Sequence, residues 1–404
     1  MQYRTVKKNG DKLSVLGFGG MRFPENNGKI DELRATRQLK QAIDKGVNYV
    51  DTAYIYHYGK SESFIGKALS DGYRAKVKLA TKLPVWFVKS REDMDRFLNT
   101  QLKNLKTDYI DYYLLHALNG KSWNQMKKLG VFDFINSAKE EGKILNIGFS
   151  FHGLKDDFKR IIDEYEKWVF CQIQYNYLDE KHQAGRYGLE YAASKDIAVF
   201  IMEPLRGGML VSNIPEPVQK VFDESGFKGS PAYWALRWVL NRSDVTMVLS
   251  GMNNEKHIEE NISTAIETIP DSMSDVELEF VSRLEKAFRN YLKVSCNGCG
   301  YCMPCPHGVN IPTCLEVYNG YVPGNKIAAL SKYIGRVYNL SDGTSSGAFL
   351  CKKCGLCEEK CPQDIEIQRH LMDIKKIFEP FYLRIVASIV LFILKYKFVF
   401  KSKK

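Results

Sequence analysis

Between residue 14 and about residue 266, short apolar runs alternate with amphipathic segments eight times, and no other feature of the 404 residues narrows the possible folds so far. The runs are VLGFGG from Val15, VNYVDT from Val47, VKLATK from Val77, YIDYYLLH from Tyr109, ILNIGFS from Ile144, VFCQIQYN from Val169, IAVFIMEP from Ile197 and VTMVLSG from Val245. Runs that are apolar at nearly every position read as strands covered on both faces, and helical crossovers between them imply parallel pairing. The helices carry their own punctuation. Asp31 is placed to cap a segment in which Leu33, Leu39 and Ile43 are expected to share a face, and Gly46 follows as a stop. Ser90 and Asp93 form a capping-box pattern ahead of Met94, Phe97, Leu98, Gln101, Leu102 and Leu105 at helical spacing. Eight such units fit the usual size, about 250 residues, of a closed (β/α)8 TIM barrel. An open doubly wound sheet is the competitor, but Gly17-Phe18-Gly19-Gly20 after the first run lacks the G-x-G-x-x-G spacing that would favour it.

A barrel builds its site where strands end, at the carboxyl-terminal face. The polar residues there are Asp51 and Tyr56 after the second run, Lys82 after the third, His116 after the fourth, Ser150 after the fifth, and Gln172 and Asn176 around the sixth. Four ionisable groups at one mouth suit proton donation to a developing alkoxide. A tyrosine titrates near ~10 and needs a neighbouring positive charge to act near neutrality. Lys82 can supply the charge, Asp51 can hold Lys82, and His116 can orient the substrate oxygen.

The stretches DTAYIYHYGKSE from Asp51, LATK ending at Lys82, DYYLLH ending at His116, GFS ending at Ser150 and QIQYN from Gln172 resemble the aldo-keto reductases across the whole barrel. The resemblance implies a catalytic tetrad of Asp51, Tyr56, Lys82 and His116, with Tyr56 as proton donor and Tyr58 as the other candidate. It also implies NAD(P)H as cofactor, a small carbonyl substrate, and Ser150 and Gln172 on the nicotinamide carboxamide. Glu260 and Asn261 match the pair associated with adenine. Asn253 and His257 stand where an arginine for a 2′-phosphate is expected, so NAD and NADP both stay open.

Beyond the barrel, CNGCGYCMPCP from Cys296 and CKKCGLCEEKCP from Cys351 repeat one motif. Three thiolates at successive C-x2-C spacings can take three corners of an iron-sulfur cube, with the fourth ligand coming from elsewhere. In two-cluster ferredoxins the Cys-Pro cysteine ligates the other cluster. On that pattern Cys296, Cys299 and Cys302 pair with Cys361, and Cys351, Cys354 and Cys357 with Cys305, giving two 4Fe-4S clusters. Structural zinc is the alternative, but it uses separated pairs and leaves the third cysteine of each run idle. Cys314 and Cys171 read as buried thiols. The helical stretches between the repeats resemble a dicluster ferredoxin, and the whole chain resembles the iron-sulfur branch of aldo-keto reductase-like proteins.

The expected organisation is therefore a barrel over 1–285, a mostly helical dicluster ferredoxin-like domain over 286–375, and a basic apolar tail over 376–404. The formal charge is +11, of which Arg384, Lys395, Lys397, Lys401, Lys403 and Lys404 supply six with no acid after residue 380. The remainder gives no case for nucleic acid. Disulfide staples are not expected in a long chain whose start, MQYRTVKKNGDKLSV, lacks a signal-peptide pattern, so a reducing cytoplasm is expected. Ile385 to Leu394 carries no charge and is apolar apart from Ser388, about 15 Å as helix against a bilayer core of about 30 Å. It reads as a peripheral membrane-surface helix, or as one docked on the protein or a partner. The functional reading is nicotinamide-dependent carbonyl reduction with electron transfer through two clusters. The alternative is an electron-transfer protein for a redox partner, with the barrel as a non-catalytic or repurposed docking domain.

Overall fold

In the computed structural model, residues 1–321, 326–339 and 344–380 are described. The chain divides into two compact units. The first comprises Met1–Arg206, Leu210–Ser212 and Gly226–Arg283; the second takes Gly207–Met209, Asn213–Ser225 and the described residues from Leu284 on.

All eight apolar runs become strands of the first unit: β1 (Leu16–Gly19), β2 (Tyr49–Asp51), β3 (Lys78–Leu83), β4 (Ile110–Leu118), β5 (Ile144–Phe151), β6 (Phe170–Gln174), β7 (Ala198–Met202) and β8 (Met247–Ser250). They form a closed barrel in the order β6-β7-β8-β1-β2-β3-β4-β5. Every pair is parallel, with Val248 opposite Leu16 where the last strand meets the first, and Phe170 opposite Gly148 where β6 meets β5. The open sheet is thereby excluded. Tyr49, Tyr112, Phe170, Phe200, Met247 and Leu249 fill the interior as one buried cluster. Large side chains there need small neighbours, and Gly17 is one: a Cβ at that position would come within 2.7 Å of Leu249 Cδ2 and 3.2 Å of Tyr49 Cδ1. Gly17, within the first run, thus serves packing.

Capping proceeds as the spacing predicts. Asp31 accepts the Arg34 N–H at the start of the helix Glu32–Asp44, and the Ser90–Asp93 capping box opens the helix Arg91–Leu105. One expectation is corrected: Leu33 is 75% exposed while Leu39 and Ile43 are buried. Six residues separate Leu33 from Leu39, and at about 100° each that places them on different faces of a helix. The buried face is Ala35, Gln38, Leu39, Ala42 and Ile43.

A hairpin of Tyr3–Thr5 and Lys12–Ser14 closes the amino-terminal end of the barrel. Val6 and Leu13 join the interior cluster, and Tyr112 donates its hydroxyl to Asp11 Oδ2 at 2.8 Å. The carboxyl-terminal ends of the strands, where the chemistry-bearing residues lie, are left to the loops.

The second unit is mostly helical in its described part, with helices Ile311–Asn319, Lys326–Val337 and Ile367–Phe378. Ile367, Leu371, Ile374 and Phe378 recur at steps of four and three, so they share a stripe and bury it against Val309, Ile311, Cys314 and Leu315. Phe378 stacks on Tyr333 at 5.0 Å between ring centroids, and the Tyr333 hydroxyl accepts the Ala348 N–H at 2.9 Å. Cys314 is a buried thiol, pushed up to about 12 by desolvation. The tail expected to meet a membrane lies, from residue 381 on, outside the described residues. No described helix is long and apolar enough to cross a membrane.

The interior cluster gives a direct stability test. Phe200 packs at 5.0 to 5.1 Å from Phe170 and Tyr49. Phe200→Ala is expected to destabilise the barrel by about 3–5 kcal/mol. Urea unfolding followed by tryptophan fluorescence reads this, because all five tryptophans lie at or before residue 238.

Candidate functional site

Asp51 is the last residue of β2, and the chain around it leaves no room for side chains. Gly20 donates its N–H to the Asp51 carbonyl at 2.7 Å and receives the Ser61 hydroxyl on its own carbonyl at 2.8 Å. A Cβ on Gly20 would come within 2.9 Å of that Asp51 oxygen. Asp51 therefore sits where the first two strands are clamped together.

Lys82, near the end of β3, reaches across to it. Its ammonium donates to Asp51 Oδ2 at 2.5 Å and to the Thr52 carbonyl at 2.7 Å, and both side chains are buried. Burial raises the Asp51 carboxyl and lowers the Lys82 amine, while their mutual contact opposes both shifts. The same ammonium lies 5.0 Å from the centroid of the Tyr56 ring. Tyr56 follows β2 in a turn whose next two residues, His57 and Tyr58, have φ of 50° and 54°. Two successive left-handed non-glycine residues carry a cost that surrounding contacts must outweigh. His57 supplies them, accepting the Phe23 N–H on Nε2 at 3.0 Å and meeting Glu25 Oε1 through Nδ1 at 3.0 Å. The turn sends Tyr58 out to solvent, 93% exposed, and leaves Tyr56 half-buried beside the lysine. Of the two candidate tyrosines, Tyr56 is the one at the mouth.

His116, on β4, lies edge-on to Tyr56 with ring centroids 6.1 Å apart. It is buried, and desolvation, helped by Lys82 and His152, holds it well below the ordinary imidazole range. Gln172 on β6 approaches Asp51 Oδ1 at 3.4 Å, a long contact that leaves most of its carboxamide capacity unspent. Ser150 on β5 accepts the Ala117 N–H at 2.7 Å and retains its own proton to donate. Asn176 is engaged elsewhere, with Asp179 Oδ2 and the Glu203 carbonyl, each at 3.0 Å. Asn261 lies on the helix Glu255–Glu267 and donates to Ser250 Oγ at 3.0 Å; Glu260 beside it is half-buried. So Asp51, Tyr56, Lys82, His116 and Gln172 are gathered at one mouth. Among the described contacts none joins Glu260 or Asn261 to them.

Two contributors escape a reading of strand ends. Trp86, in the short helix Val85–Phe87 just after β3, lies 4.9 Å from the His116 ring and is 41% exposed, with Phe87 beside it at 47%. The adjacent aromatics in LPVWFV were the available signal. Glu62 is the other, a buried carboxylate that accepts Thr81 Oγ1 and Gln101 Nε2 at 2.7 Å each, while Gln101 also bonds the Lys82 carbonyl at 2.9 Å. It anchors β3 directly beneath the lysine.

In the second unit the two cysteine repeats adopt matching turns. Gly298 and Lys353, each two residues after the first cysteine, have φ of 70° and 58°, and Gly300 and Gly355, four after it, have 78° and 82°. The N–H of Gly298 points to Cys296 Sγ and that of Lys353 to Cys351 Sγ, both at 3.4 Å. Cys302 has Cys296, Cys361 and Cys357 as electrostatic neighbours, and burial first, then these thiols, push it up to about 12. Cys302 and Cys305 line, with Cys351, Cys354 and Cys357, one pocket open to solvent. Among the described residues no three His, Cys, Asp or Glu side chains converge as ligands of a single ion do. Zinc draws four thiolates to about 2.3 Å from one centre. The third cysteine of each C-x2-C-x2-C run, with a further Cys-Pro after it, is a donor set that fits a cube. Asn319 fixes the approach to the first repeat by accepting the Lys293 and Val294 N–H groups and donating to the Val294 carbonyl, at 2.8 to 3.0 Å.

The aldo/keto reductase family profile matches residues 15–277, and the 4Fe-4S dicluster domain profile matches residues 295–366. An uncharacterized oxidoreductase of Schizosaccharomyces pombe is 29% identical over 278 residues, covering 65% of this chain and 85% of its own. L-galactose dehydrogenase of Arabidopsis thaliana is 25% identical, with 72% and 96% covered. NADH-specific methylglyoxal reductase of Escherichia coli is 25% identical, with 68% and 96% covered. Among solved structures, the holo form of aldo-keto reductase AKR11C1 from Bacillus halodurans matches with a TM-score of 0.58 at 25% identity, over 71% of this chain and 97% of that one.

The imidazoles of His116, buried, and His152, half-buried, make barrel stability pH-dependent. His116 is held well below the ordinary range and His152 is pushed down to about 4, chiefly by burial. In the unfolded chain each titrates near ~6.5. Their contribution is thus complete above ~6.5 and is lost as pH falls from there toward the folded values, at on the order of 1 kcal/mol per pH unit per group. Tryptophan-monitored urea midpoints are expected to drop steadily between pH 6.5 and pH 5. In His152→Gln the slope should be shallower.

Proposed function

The chain belongs to the aldo/keto reductase family and, with its 4Fe-4S dicluster domain, is an iron-sulfur oxidoreductase; from that premise we propose that it reduces a small carbonyl compound with a nicotinamide nucleotide, and that two 4Fe-4S clusters exchange electrons with a redox partner protein. The observation that carries the first half is the Lys82 ammonium, buried between Asp51 and the Thr52 carbonyl and 5.0 Å from the Tyr56 ring. A cation there stabilises the phenolate left when Tyr56 gives its proton to the carbonyl oxygen. Asp51 keeps that cation in place. His116, neutral through burial, can hydrogen-bond the same oxygen and aim it at Tyr56 without adding a charge to the site. Trp86 and Phe87 cover the approach with apolar surface and reduce the water around the reacting oxygen.

A dihydronicotinamide held at this mouth would supply the hydride for the carbonyl carbon. A carboxamide asks for one donor and one acceptor, and the Ser150 hydroxyl with the Gln172 side chain offers that pair at the same mouth. Glu260 and Asn261 would meet the adenine end. The similarity to an NADH-specific methylglyoxal reductase supports a nicotinamide nucleotide here.

Cys296, Cys299, Cys302 and Cys361 would hold one cube, and Cys351, Cys354, Cys357 and Cys305 the other. Cys302 has both Cys361 and Cys357 of the second repeat as neighbours, and Cys302 and Cys305 line one pocket with Cys351, Cys354 and Cys357, which supports ligands exchanged between the repeats; the division itself follows the two-cluster ferredoxin pattern. A hydride moves two electrons together and each cube exchanges one, so carbonyl reduction by the nicotinamide and the one-electron relay through the cubes are separate steps.

Tyr56→Phe should lower turnover of a small aldehyde by about 10²–10⁴-fold while leaving iron and sulfide content unchanged. A rate within twofold of the parent would remove Tyr56 from the mechanism. Protein purified without oxygen should contain about eight irons per chain, four for each of two cubes. Zinc in place of iron would end the electron-transfer half of the reading.

A further inference from the structure

The two cysteine repeats share turns but not surroundings. Of their eight cysteines Cys354 alone is exposed. The wall of the cavity it shares with Cys305, Cys351 and Cys357 carries Lys352, Lys360 and His307 and no carboxylate. Lys353, between Cys351 and Cys354, is exposed with Lys352 and Lys360, and Leu356 beyond them is 42% exposed. Among the described residues none of the three ammonium groups is in an ion pair. The nearby acids are differently placed. Glu358 is occupied by the backbone and side-chain N–H groups of Gln368, at 2.8 Å each, and Glu366 pairs with Arg369. Glu359 and Asp364 are exposed. In the first repeat, Asn297 and Gly298 stand where the second has Lys352 and Lys353, and CNGCGYCMPCP contains no charged residue.

This asymmetry has a physical reading, which rests on the relay of electrons proposed above. A cube held by four thiolates is anionic, and cations on its wall lower the cost of that charge. The wall alone does not account for Lys353, which is exposed and outside the cavity lining. Transfer of an electron between proteins requires close approach to the cluster, and an exposed ligand is where a cluster comes nearest the surface. Complementary charge around such a point speeds encounter and fixes orientation. We propose that Lys352, Lys353 and Lys360, with the exposed Leu356, form the docking face for an acidic one-electron carrier protein, which exchanges electrons with the cluster held by Cys351, Cys354, Cys357 and Cys305. Each encounter moves one electron: the carrier is oxidised as the cluster is reduced, or the reverse, and no bond or proton changes hands.

The test uses the full chain, purified without oxygen with its clusters, a small acidic [2Fe-2S] ferredoxin as probe, and photoreduced deazaflavin as an uncharged small reductant. The rate constant for cluster reduction by the ferredoxin should fall about tenfold between low salt and roughly 0.3 M salt. The Lys352→Glu/Lys353→Glu/Lys360→Glu variant should fall by about tenfold or more at low salt when its ferredoxin rate is divided by its own deazaflavin rate, which also removes any change that the two wall lysines make to the cluster itself. Lys353→Gly, which suits the left-handed turn and leaves the cavity wall intact, should show a fall of about twofold to threefold. A ferredoxin rate indifferent to salt and to both variants, with deazaflavin still bleaching the clusters, overturns the docking face and leaves the relay standing. Clusters that deazaflavin cannot bleach overturn both.

Discussion

Closure of the strand ring is the constraint on which the barrel site depends. Parallel pairing of β8 with β1 and of β5 with β6 leaves no free edge, so every strand end points the same way and is fixed laterally by two neighbours. Only then do residues as far apart in sequence as Asp51 and Gln172 come within 3.4 Å. An open sheet of the same strands would hold β5 and β6 at its edges or splay them, and the buried lysine would lack the wall that excludes water from it.

The proposed chemistry depends on burial. A lysine ammonium in water is screened and influences little at 5 Å; out of water the same charge is screened far less, which is what the proposed action of Lys82 on Tyr56 requires. The cost is desolvation of both members of the Lys82–Asp51 pair. It is offset by hydrogen bonds to the Thr52 carbonyl and by the Glu62, Thr81 and Gln101 network that holds β3 from behind. The left-handed backbone at His57 and Tyr58 is part of the same arrangement, since it directs one tyrosine inward and the next one out.

The second unit solves a different problem, how to present thiolates around a space. It does so with backbone turns of alternating handedness that aim N–H groups at sulfur, repeated at Cys296 and Cys351. The position two residues after the first cysteine needs a positive φ in both repeats. Glycine meets it in one, and a lysine accepts it in the other. Lys353 thus takes a conformation costly for its side chain next to Cys354, the exposed member of the eight cysteines.

Much of this was legible in the sequence. The eight strands, the caps at Asp31 and Ser90, and the cysteine repeats follow from local rules of apolar period, side-chain hydrogen bonding and ligand spacing that a linear chain displays directly. Leu33 misled because its face depends on the helical angle and not on its being apolar. Trp86 and Glu62 stayed hidden because their roles come from what lies opposite them, His116 in one case and Gln101 in the other, and no local pattern records an opposite neighbour. By itself the sequence determined which residue types stand at strand ends and how the cysteines are spaced. Tertiary structure alone decided which tyrosine faces the lysine, which glutamine reaches the aspartate and which cysteine meets solvent, because burial and proximity exist only once the ring has closed and the helices have packed.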